Sequence, residues 1–580
     1  EHAARDRVGA RIGDLRAQDA WCGRPGNQGG DERKKTECGD SGAQTELGVN
    51  RGAGFSSLTI QAPFPAHRRR LTPPDTRMHF STSPPTARTL PMPLLALDAG
   101  TTSTRAMVFA DDGAPLARAQ RAFAQHFPRD GWVEHDPDEI FDATIACARE
   151  AISAAALEAR DLAGIGIAVQ RETVVVWTRA TGRPIHRAIV WQDRRTADEC
   201  QSLAADPAAT ELVSRTGLLL DPYFSATKLA WILDQVDGAR AAAERGELLA
   251  GTIDSWLLWR LTGGRVHATD ATNASRTLLF DIRRLAWSDE LCALFRVPRR
   301  LLADVRNSAD DYGSTDADWL GAPVPVRALV GDQQSAAVGQ DCVAPGQAKA
   351  TYGTGCFLLV HTGDAPRTSR HRLLATVALQ IDGRATYALE GSIFNAGSVV
   401  QWLRDELKII RTAEETAAIA ASIPTSGGVY CVPAFTGLGA PWWDPDARGA
   451  LVGLTRASGR AEVVRAALES VALQTRDLAT AFADDGVPLG ALRVDGGMAS
   501  NDWLMQTLAD QLRVTVERPA VLETTAWGAA RLAGLHAGVY PPLGAPGLRR
   551  VERAFAPVAP REPCDALHAG WVTAVKRVRS

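Results

Sequence analysis

The sequence predicts an α/β protein made of two similar halves. Apolar segments with strand character alternate with helical segments along most of the chain. A turn of acid, glycine and hydroxyl residues between apolar runs occurs near Asp98 and again, in a related form, between Val324 and Val360. A third turn, in Leu492–Asn501, has two adjacent glycines between a strand pattern and a helix pattern. The alternation indicates a mainly parallel sheet flanked by helices in each half.

The first turn lies within Leu94–Phe109, whose sequence is LLALDAGTTSTRAMVF. An apolar run brings Asp98 to a glycine, and a cluster of hydroxyl residues and Arg105 follow before the chain becomes apolar again. This pattern predicts a β-hairpin with a polar tip. Backbone N–H groups and hydroxyls at a tight glycine turn can bind phosphate oxygens, and the acid can hold Mg²⁺ directly or through water. An ordinary hairpin with a polar tip fits the same residues.

The later turns repeat this chemistry. Val326–Val330 predicts a strand that ends in the sequence GDQQ, and Ala348–Val360 supplies a second Gly/Thr turn between apolar runs. Leu492–Asn501 predicts a strand, an Asp-Gly-Gly turn and the start of a helix, in which one face carries Leu504, Leu508 and Leu512. Glycine turns let a flat ring lie against the backbone. Three such turns favour a duplicated fold that closes around a nucleotide.

The remaining elements support the α/β assignment. Asp136 followed by Pro137 predicts a helix start, with the aspartate as N-cap. Leu162–Val169 predicts a buried strand that leads into a Gln-Arg-Glu-Thr sequence. Two alanine-rich stretches, Val463–Ala479 and Thr525–Ala537, predict helices.

Length and composition exclude several classes of protein. A chain of 580 residues is too long for one hydrophobic core and suggests two large domains. A net charge of −3 argues against a nucleic-acid partner or a membrane-surface protein. No apolar run approaches the roughly 20 residues that cross a bilayer. The nine cysteines contain no CxxC pair, which favours reduced thiols in a cytoplasmic protein.

The first 91 residues differ from the rest of the chain. Glu1–Pro91 is rich in Arg, Gly, Pro, Ser and Thr and has few periodic apolar positions, so it is not expected to build a core. Ala66–Leu90 is poor in acids and rich in Arg, Ser and Thr, which also fits a transit peptide. Because Met92 lies two residues before the first predicted strand, we expect translation to start there.

Eight segments of the chain carry a resemblance to a known family. Two long segments match its general patterns: Tyr223–Gln235 and Gly449–Glu469. Six more carry a closer likeness: Gly131–Pro137, Gln170–Thr173, Ile189–Arg195, Gly331–Gln334, Thr351–Phe357 and Val432–Trp442. On these segments the chain from about Leu94 to Lys576 resembles the FGGY carbohydrate kinases, and among them the glycerol kinases.

The resemblance implies a fold, a reaction and partners. The implied fold is that of actin, hexokinase and Hsp70: two actin-like (ribonuclease H-like) ATPase domains, here residues 92–340 and 341–580, with a catalytic cleft between them. The implied reaction is the phosphorylation of glycerol to sn-glycerol 3-phosphate by ATP with Mg²⁺. A homodimer or homotetramer in the cytoplasm is the implied assembly.

Asp332 is the predicted catalytic base. An aspartate at the end of a buried strand can accept the proton of an attacking hydroxyl, which phosphoryl transfer requires. A turn-capping aspartate is the structural alternative. Arg171 and Glu172 follow another buried strand, where unpaired charge is costly. They fit either a structural ion pair or, as the resemblance implies, polyol binding.

The resemblance assigns the other site residues. The substrate-binding set is Arg171, Glu172, Trp191, Tyr223, Asp332, Gln333 and Phe357, with aromatic rings as the apolar wall. The nucleotide-binding set is Thr101, Thr102, Ser103, Arg105, Thr354, Gly397, Gln401, Gly497 and Asn501. Asp98 is the predicted Mg²⁺ ligand.

Two other functions fit parts of the sequence. Within the family, the substrate could be another polyol or a ketose such as erythritol or xylulose, but the closer segments favour glycerol. A non-catalytic binding or scaffold protein of the same fold would not need Asp98, Asp332 and both hydroxyl turns, so their presence favours an enzyme.

Overall fold

The computed structural model describes residues 92–580. The predictions about residues 1–91 therefore lie outside the described residues. The first half contains thirteen strands: β1 Leu94–Ala99, β2 Ser103–Phe109, β3 Pro115–Ala122, β4 Glu134–His135, β5 Gly164–Val169, β6 Val174–Thr178, β7 Ala188–Ile189, β8 Leu248–Thr252, β9 Ala268–Asp270, β10 Phe280–Asp281, β11 Ala286–Trp287, β12 Asp304–Arg306 and β13 Val326–Gly331. Its α-helices are α1 Pro137–Ala154, α2 Ala197–Leu203, α3 Leu212–Thr216, α4 Ser225–Gln235, α5 Ala239–Arg245, α6 Ile253–Leu261, α7 Ala271–Ala274, α8 Asp289–Leu294, α9 Ala317–Leu320 and α10 Asp332–Gly339.

The second half is built from longer strands and helices. Its strands are β14 Ala348–Tyr352, β15 Cys356–Gly363, β16 Leu374–Ile381, β17 Arg384–Ile393, β18 Tyr430–Val432, β19 Ala450–Val452, β20 Leu492–Asp495, β21 Val516–Pro519 and β22 Val551–Phe555. Its α-helices are α11 Gly397–Asp405, α12 Glu415–Ala421, α13 Arg460–Asp484, α14 Asp502–Leu512, α15 Thr524–His536 and α16 Arg561–Val578.

The two main sheets repeat one topology. The first sheet has the strand order β13-β5-β1-β2-β3, and the second contains β17-β15-β14-β20-β21 in the middle of seven strands. In both sheets a hairpin pairs antiparallel with a third strand on one side. On the other side, the first strand of each hairpin pairs parallel with one strand, and that strand pairs parallel with the next. The prediction of a duplicated fold is confirmed.

The prediction of mainly parallel sheets is wrong. In each repeat the first three strands are antiparallel and only the pairs that follow long helical crossovers are parallel. Short turns join neighbouring strands that run in opposite directions, whereas a parallel pair needs a long connection. The hairpins themselves therefore make both sheets mixed.

Several local predictions are confirmed. The first hairpin pairs Asp98 with Arg105, and the second joins β14 to β15 through a three-residue turn. Asp136 caps helix α1, accepting backbone N–H bonds with its side chain. The predicted leucine face of α14 packs in the hydrophobic core of the second half, where Leu512 lies at the edge of that core. Helix α13 extends beyond the predicted range at both ends.

Two crossing helices join the repeats. Helix α10 follows β13 of the first sheet, and α15 follows β21 of the second. At the crossing, a Cβ on Gly528 would lie 1.8 Å from the Ser335 backbone oxygen, and one on Gly339 would lie 2.1 Å from the Thr524 oxygen. A side chain at either position would therefore separate the helices. Asp332 begins α10, so the predicted base lies where the repeats meet.

Candidate active site

The first hairpin carries a partly buried carboxylate near a guanidinium. Asp98 Oδ2 lies 3.9 Å from Arg105 Nη1, across the strand pair. Burial raises the pKa of Asp98 to about 6, with Arg105 acting against the rise and Asp332 adding to it. Asp98 and Asp332 therefore lie close enough to interact electrostatically, although they are more than two hundred residues apart in the sequence.

The hairpin tip is tied to its surroundings. Thr101 Oγ1 accepts a 2.9 Å hydrogen bond from Nε1 of Trp191. Arg105 Nη2 donates to Gln120 Oε1 at 3.1 Å, and Gln120 Nε2 donates to Ser103 Oγ at 2.9 Å. Thr102, the fourth predicted phosphate ligand of this tip, is exposed. The tip thus presents fixed hydroxyls and a fixed cation next to one of the predicted wall residues.

The three predicted aromatic residues lie together. The Trp191 ring meets Tyr223 edge to face at 5.5 Å and Phe357 at 5.9 Å between centroids. Phe357 belongs to β15 of the second repeat, whereas the other two rings come from the first. These rings form an apolar wall that spans both halves, as a site for the CH faces of a small polyol requires.

A buried ionic network lies beside this wall. Arg171 Nη1 lies 2.6 Å from Glu390 Oε2, and Arg276 bridges Glu390 at 2.8 Å and Glu172 at 2.6 Å. The neighbouring pair Arg171 and Glu172 is separated by 4.0 Å, so each finds its nearer partner elsewhere in the chain. Arg171 Nε also lies 3.3 Å from Asp332 Oδ1. The network joins the predicted polyol residues to the predicted base.

The charges in this network support one another. Burial opposes the ionisation of Glu390, but Arg171 and Arg276 lower its pKa to about 2. Burial raises the pKa of Asp332 above its usual value, while Arg171 and Lys349 act against that rise. Two guanidiniums and the Lys349 ammonium thus face three carboxylates, those of Glu172, Glu390 and Asp332, as buried charge requires. Asp332 is the member whose side chain stays 26% exposed, so it can meet a ligand.

Glu172 is held in a strained backbone conformation. Its φ of 62° lies in the left-handed region, which costs a residue with a Cβ. Ser225 Oγ donates a 3.0 Å hydrogen bond to the Glu172 backbone oxygen and helps to fix this turn. The strain places the Glu172 carboxylate on Arg276 at the end of β5, and residues held in this way are frequent at functional sites.

Sequence reasoning missed several residues of this site. Glu390 and Lys349 are lone charges inside apolar strands, and both are fully buried. A single charge in a buried strand is costly, so it was a usable signal. Arg276 and Gln334 gave no comparable signal, since they follow or lie within short helices. Gln334 Oε1 accepts a 3.3 Å hydrogen bond from Arg171 Nη1.

The second predicted nucleotide group forms around the start of α11. Gly397 N–H donates to the Gly353 oxygen at 2.9 Å, and a Cβ on Gly397 would lie 2.4 Å from that oxygen. The Thr354 oxygen accepts N–H bonds from Ala396 and Ser398. The tip of the second hairpin therefore packs directly on the N-terminal end of the helix, and its backbone oxygens already accept the first N–H groups there.

The other members of this group have mixed positions. Gly497 is exposed and open, with no heavy atom within 4 Å of the place a Cβ would take. Asn501 caps α14 through the Leu504 N–H and donates to Thr416, so its side chain already has structural partners. Gln401 is exposed on α11. Among the backbone hydrogen bonds of residues 92–580, none joins this group to hairpin β1–β2, and different sheets carry the two groups.

Asp98 is suited to hold a cation only with help from a ligand. Within the described part of the chain, no three His, Cys, Asp or Glu side chains are grouped as a metal centre. A cation at Asp98 would take its other ligands from water and phosphate oxygens. Mg²⁺ is commonly held in that way, by one or two carboxylates. The partly buried Asp98 carboxylate, which a second carboxylate at Asp332 affects electrostatically, fits such a cation.

Comparison with known proteins identifies the family. The sequence model of the FGGY family of carbohydrate kinases, N-terminal domain, matches residues 93–339, and that of the C-terminal domain matches residues 348–537. The chain belongs to the FGGY family of carbohydrate kinases. Its fold is therefore the predicted pair of actin-like ATPase domains with a cleft between them.

Two curated relatives align with this chain over nearly their whole length. The chain is 59% identical over 488 residues to glycerol kinase of Rhodospirillum centenum, covering 84% of this chain and 98% of the relative. It is 57% identical over 488 residues to glycerol kinase 1 of Pseudomonas aeruginosa, covering 84% of this chain and 99% of the relative.

Solved structures of the FGGY fold match the same part of the chain. Plasmodium falciparum glycerol kinase with ADP superposes with a TM-score of 0.78 at 33% identity, covering 84% of this chain and 98% of that one. Gluconate kinase from Lactobacillus acidophilus superposes with a TM-score of 0.75 at 21% identity over 84% and 98%, which speaks for the fold alone. Within residues 92–580, no helix is both long and apolar enough to span a membrane.

Proposed function

We propose that this protein phosphorylates glycerol at a terminal hydroxyl, using ATP with Mg²⁺ and releasing sn-glycerol 3-phosphate and ADP. The observation that carries the proposal is the position of Asp332. This partly exposed carboxylate lies 3.3 Å from buried Arg171, in the cleft that the aromatic wall spans. The 59% identity to a glycerol kinase along 98% of that relative supports glycerol as the substrate.

Asp332 is the proposed catalytic base. In the transfer, the glycerol oxygen forms a bond to the γ-phosphorus while the bond from that phosphorus to the bridging oxygen of ADP breaks. The hydroxyl proton passes to the Asp332 carboxylate. Arg171 lies beside this carboxylate and opposes the rise in its pKa that burial causes. In-line placement of the hydroxyl then supplies most of the remaining rate enhancement.

The ionic network would bind the hydroxyl groups of glycerol, and the aromatic wall would contact its CH groups. Arg171 and Glu172 lie behind the wall as hydrogen-bonding groups of opposite character, and the buried partners Arg276 and Glu390 hold them in place. Trp191, Tyr223 and Phe357 would cover the CH faces. A buried site of this kind accepts a triol only if each hydroxyl finds a partner.

Asp98 would hold the cation, directly or through water. When bound, Mg²⁺ would neutralise charge on the β- and γ-phosphate oxygens. The hydroxyls and Arg105 of the first hairpin tip would bind the phosphates, and Thr354 would meet them from the second hairpin. Gly397, Gln401, Gly497 and Asn501 would line the remainder of the nucleotide site. Because the two hairpins belong to different sheets, closure of the cleft would be needed to bring both groups onto one ATP.

A coupled assay of ADP release tests the reaction. We expect release to depend on glycerol and on Mg²⁺, and to be weak with erythritol, gluconate or xylulose. Release that is indifferent to glycerol but rises with a ketose would overturn the assignment of substrate. The same panel separates this reaction from those of the gluconate and xylulose kinases that share the fold.

The role of Asp332 has a separate test. Asp332→Asn keeps the shape of the side chain but cannot take a proton, so we expect kcat to fall by roughly 10²-fold or more. ATP affinity should change little. Asp364→Asn, at an exposed position, is the control. Activity of Asp332→Asn within a fewfold of the unaltered protein would show that this aspartate is structural.

We also propose a cytoplasmic location and a domain boundary near residue 340. All seven cysteines within residues 92–580 are free and buried, which is typical of proteins from a reducing compartment. The boundary would fall between helix α10 and strand β14. The homodimer or homotetramer expected from the resemblance stays a prediction that light scattering would check.

A further inference from the structure

Lys349 is a buried ammonium with an unusual pair of partners. It lies on β14, and its side chain is fully buried. Its Nζ donates to Gln333 Oε1 at 2.5 Å and to Thr351 Oγ1 at 2.9 Å. Gln333 comes from helix α10 of the first repeat, so this bond crosses between the two halves right beside Asp332.

The ammonium decides how the Gln333 amide is turned. A protonated lysine has only donors, so the amide atom that faces it must be the oxygen. The amide nitrogen Nε2 then points the other way. The Gln333 side chain also hydrogen-bonds to the Asp332 carboxylate, which uses one of the two N–H groups of Nε2. The second N–H group of Nε2 has no further hydrogen-bond partner among the described residues, so it is the donor that remains for a ligand.

Gln333 and Asp332 thus present complementary groups. Asp332 offers an acceptor and the Gln333 side chain a donor from adjacent positions at the start of α10. A hydroxyl group can accept one hydrogen bond and donate one, so it matches this pair. When Nε2 donates to a lone pair of the hydroxyl oxygen, the hydroxyl proton is directed to the Asp332 carboxylate. The opposite turn of the amide would instead compete with Asp332 for that proton.

We infer that Lys349 is a positioning residue for the substrate: it fixes the Gln333 amide so that Nε2 donates to the hydroxyl that Asp332 deprotonates. This inference rests on the proposed function. Burial lowers the pKa of Lys349, and Asp495 and Asp332 act against that change. Burial of a charged side chain costs free energy, so the presence of Lys349 here is consistent with a need for its hydrogen-bond donors, which an apolar side chain lacks.

The test is a double-mutant cycle with Lys349→Met and Gln333→Leu. Methionine keeps most of the stem and removes the donor. We expect Lys349→Met to raise KM for glycerol about tenfold, the usual effect of one lost hydrogen bond, and to leave KM for ATP nearly unchanged. In a Gln333→Leu background the same lysine change should have no further effect on KM for glycerol, because the amide it orients is absent.

A matched control separates positioning from loss of stability. Thr269→Val also removes a buried hydrogen bond, the 2.6 Å bond to Asp254 Oδ2, but lies outside the proposed site. It should lower the unfolding temperature without changing KM for glycerol. Unfolding temperatures of the lysine and glutamine variants, measured in parallel, show how much of each change is structural.

The outcomes are distinct. If the unaltered protein turns over glycerol but Lys349→Met keeps the same KM, or the two changes are additive, the positioning role is wrong. If the unaltered protein does not turn over glycerol, the proposed function fails first. A rise in KM for ATP equal to that for glycerol would show a general distortion of the cleft and would also overturn the inference.

Discussion

Glu390 offers the sharpest test of the buried network. In Glu390→Gln, the anion between Arg171 and Arg276 is lost while the shape of the side chain is kept. Burial and two guanidiniums set the pKa of Glu390 at about 2, compared with an ordinary value of 4.5. This difference corresponds to about 3 kcal/mol of stability near neutral pH. Loss of one partner from a buried ion pair costs a similar amount, about 3–5 kcal/mol.

The sign of the pH dependence follows from the lowered pKa. The stabilisation by Glu390 is complete above about pH 4.5 and is lost as the pH falls through about 2, because the folded state resists protonation. The stability difference between Glu390→Gln and the unaltered protein should therefore be constant between about pH 5 and 8 and should shrink below about 4.5. Urea unfolding followed by circular dichroism across this range measures it.

Activity should fall together with stability. Arg171 loses its 2.6 Å partner and with it the orientation beside Asp332, so we expect kcat/KM for glycerol to drop at least about tenfold. A second variant, Glu390→Gln with Arg276→Met, also removes the nearer partner of Glu172 and should be less stable still. If Glu390→Gln unfolds at the same urea concentration as the unaltered protein and keeps its kcat/KM, the network has no such role.

Three further predictions concern the crossing helices, the wall and the cleft. Gly528→Ala places a Cβ 1.8 Å from a backbone oxygen of α10 and should lower the free energy of unfolding by about 1–3 kcal/mol. Gly490→Ala, whose Cβ would lie 3.6 Å from its nearest neighbour, should leave that free energy unchanged. Equal unfolding midpoints for the two variants would show that the helices can move apart. Trp191→Phe removes the N–H bond to Thr101 and should raise KM for glycerol about fivefold. Trp177→Phe, whose Nε1 has no hydrogen-bond partner among residues 92–580, should leave KM unchanged. The same KM in both variants would show that the Trp191 bond does not contribute to glycerol binding. Glycerol with a non-hydrolysable ATP analogue should reduce the radius of gyration in solution scattering, and identical curves with and without both ligands would contradict closure.

Local chemistry made some elements predictable. The hairpin in Leu94–Phe109 could be predicted because two apolar runs joined by a short polar turn pair with each other. The start of α1 could be predicted because the Asp136 side chain satisfies N–H groups only a few residues away. The strand direction in the main sheets was not predictable from the alternation of strands and helices, which does not say whether neighbours pair through a hairpin or a crossover.

The sequence by itself determined the turns, the caps and the residue types at the candidate site, because each depends on groups within a few positions of one another. Only the tertiary structure decided which charges meet. Arg171 pairs with Glu390, which is 219 residues away, more closely than with its neighbour Glu172. Packing of the two repeats brings Glu390 to both buried guanidiniums, and in a low-dielectric interior such charges must lie where an opposite charge can reach them. The order of the strands and the crossing of the helices therefore determine which residues pair with the site residues that were predicted from the sequence.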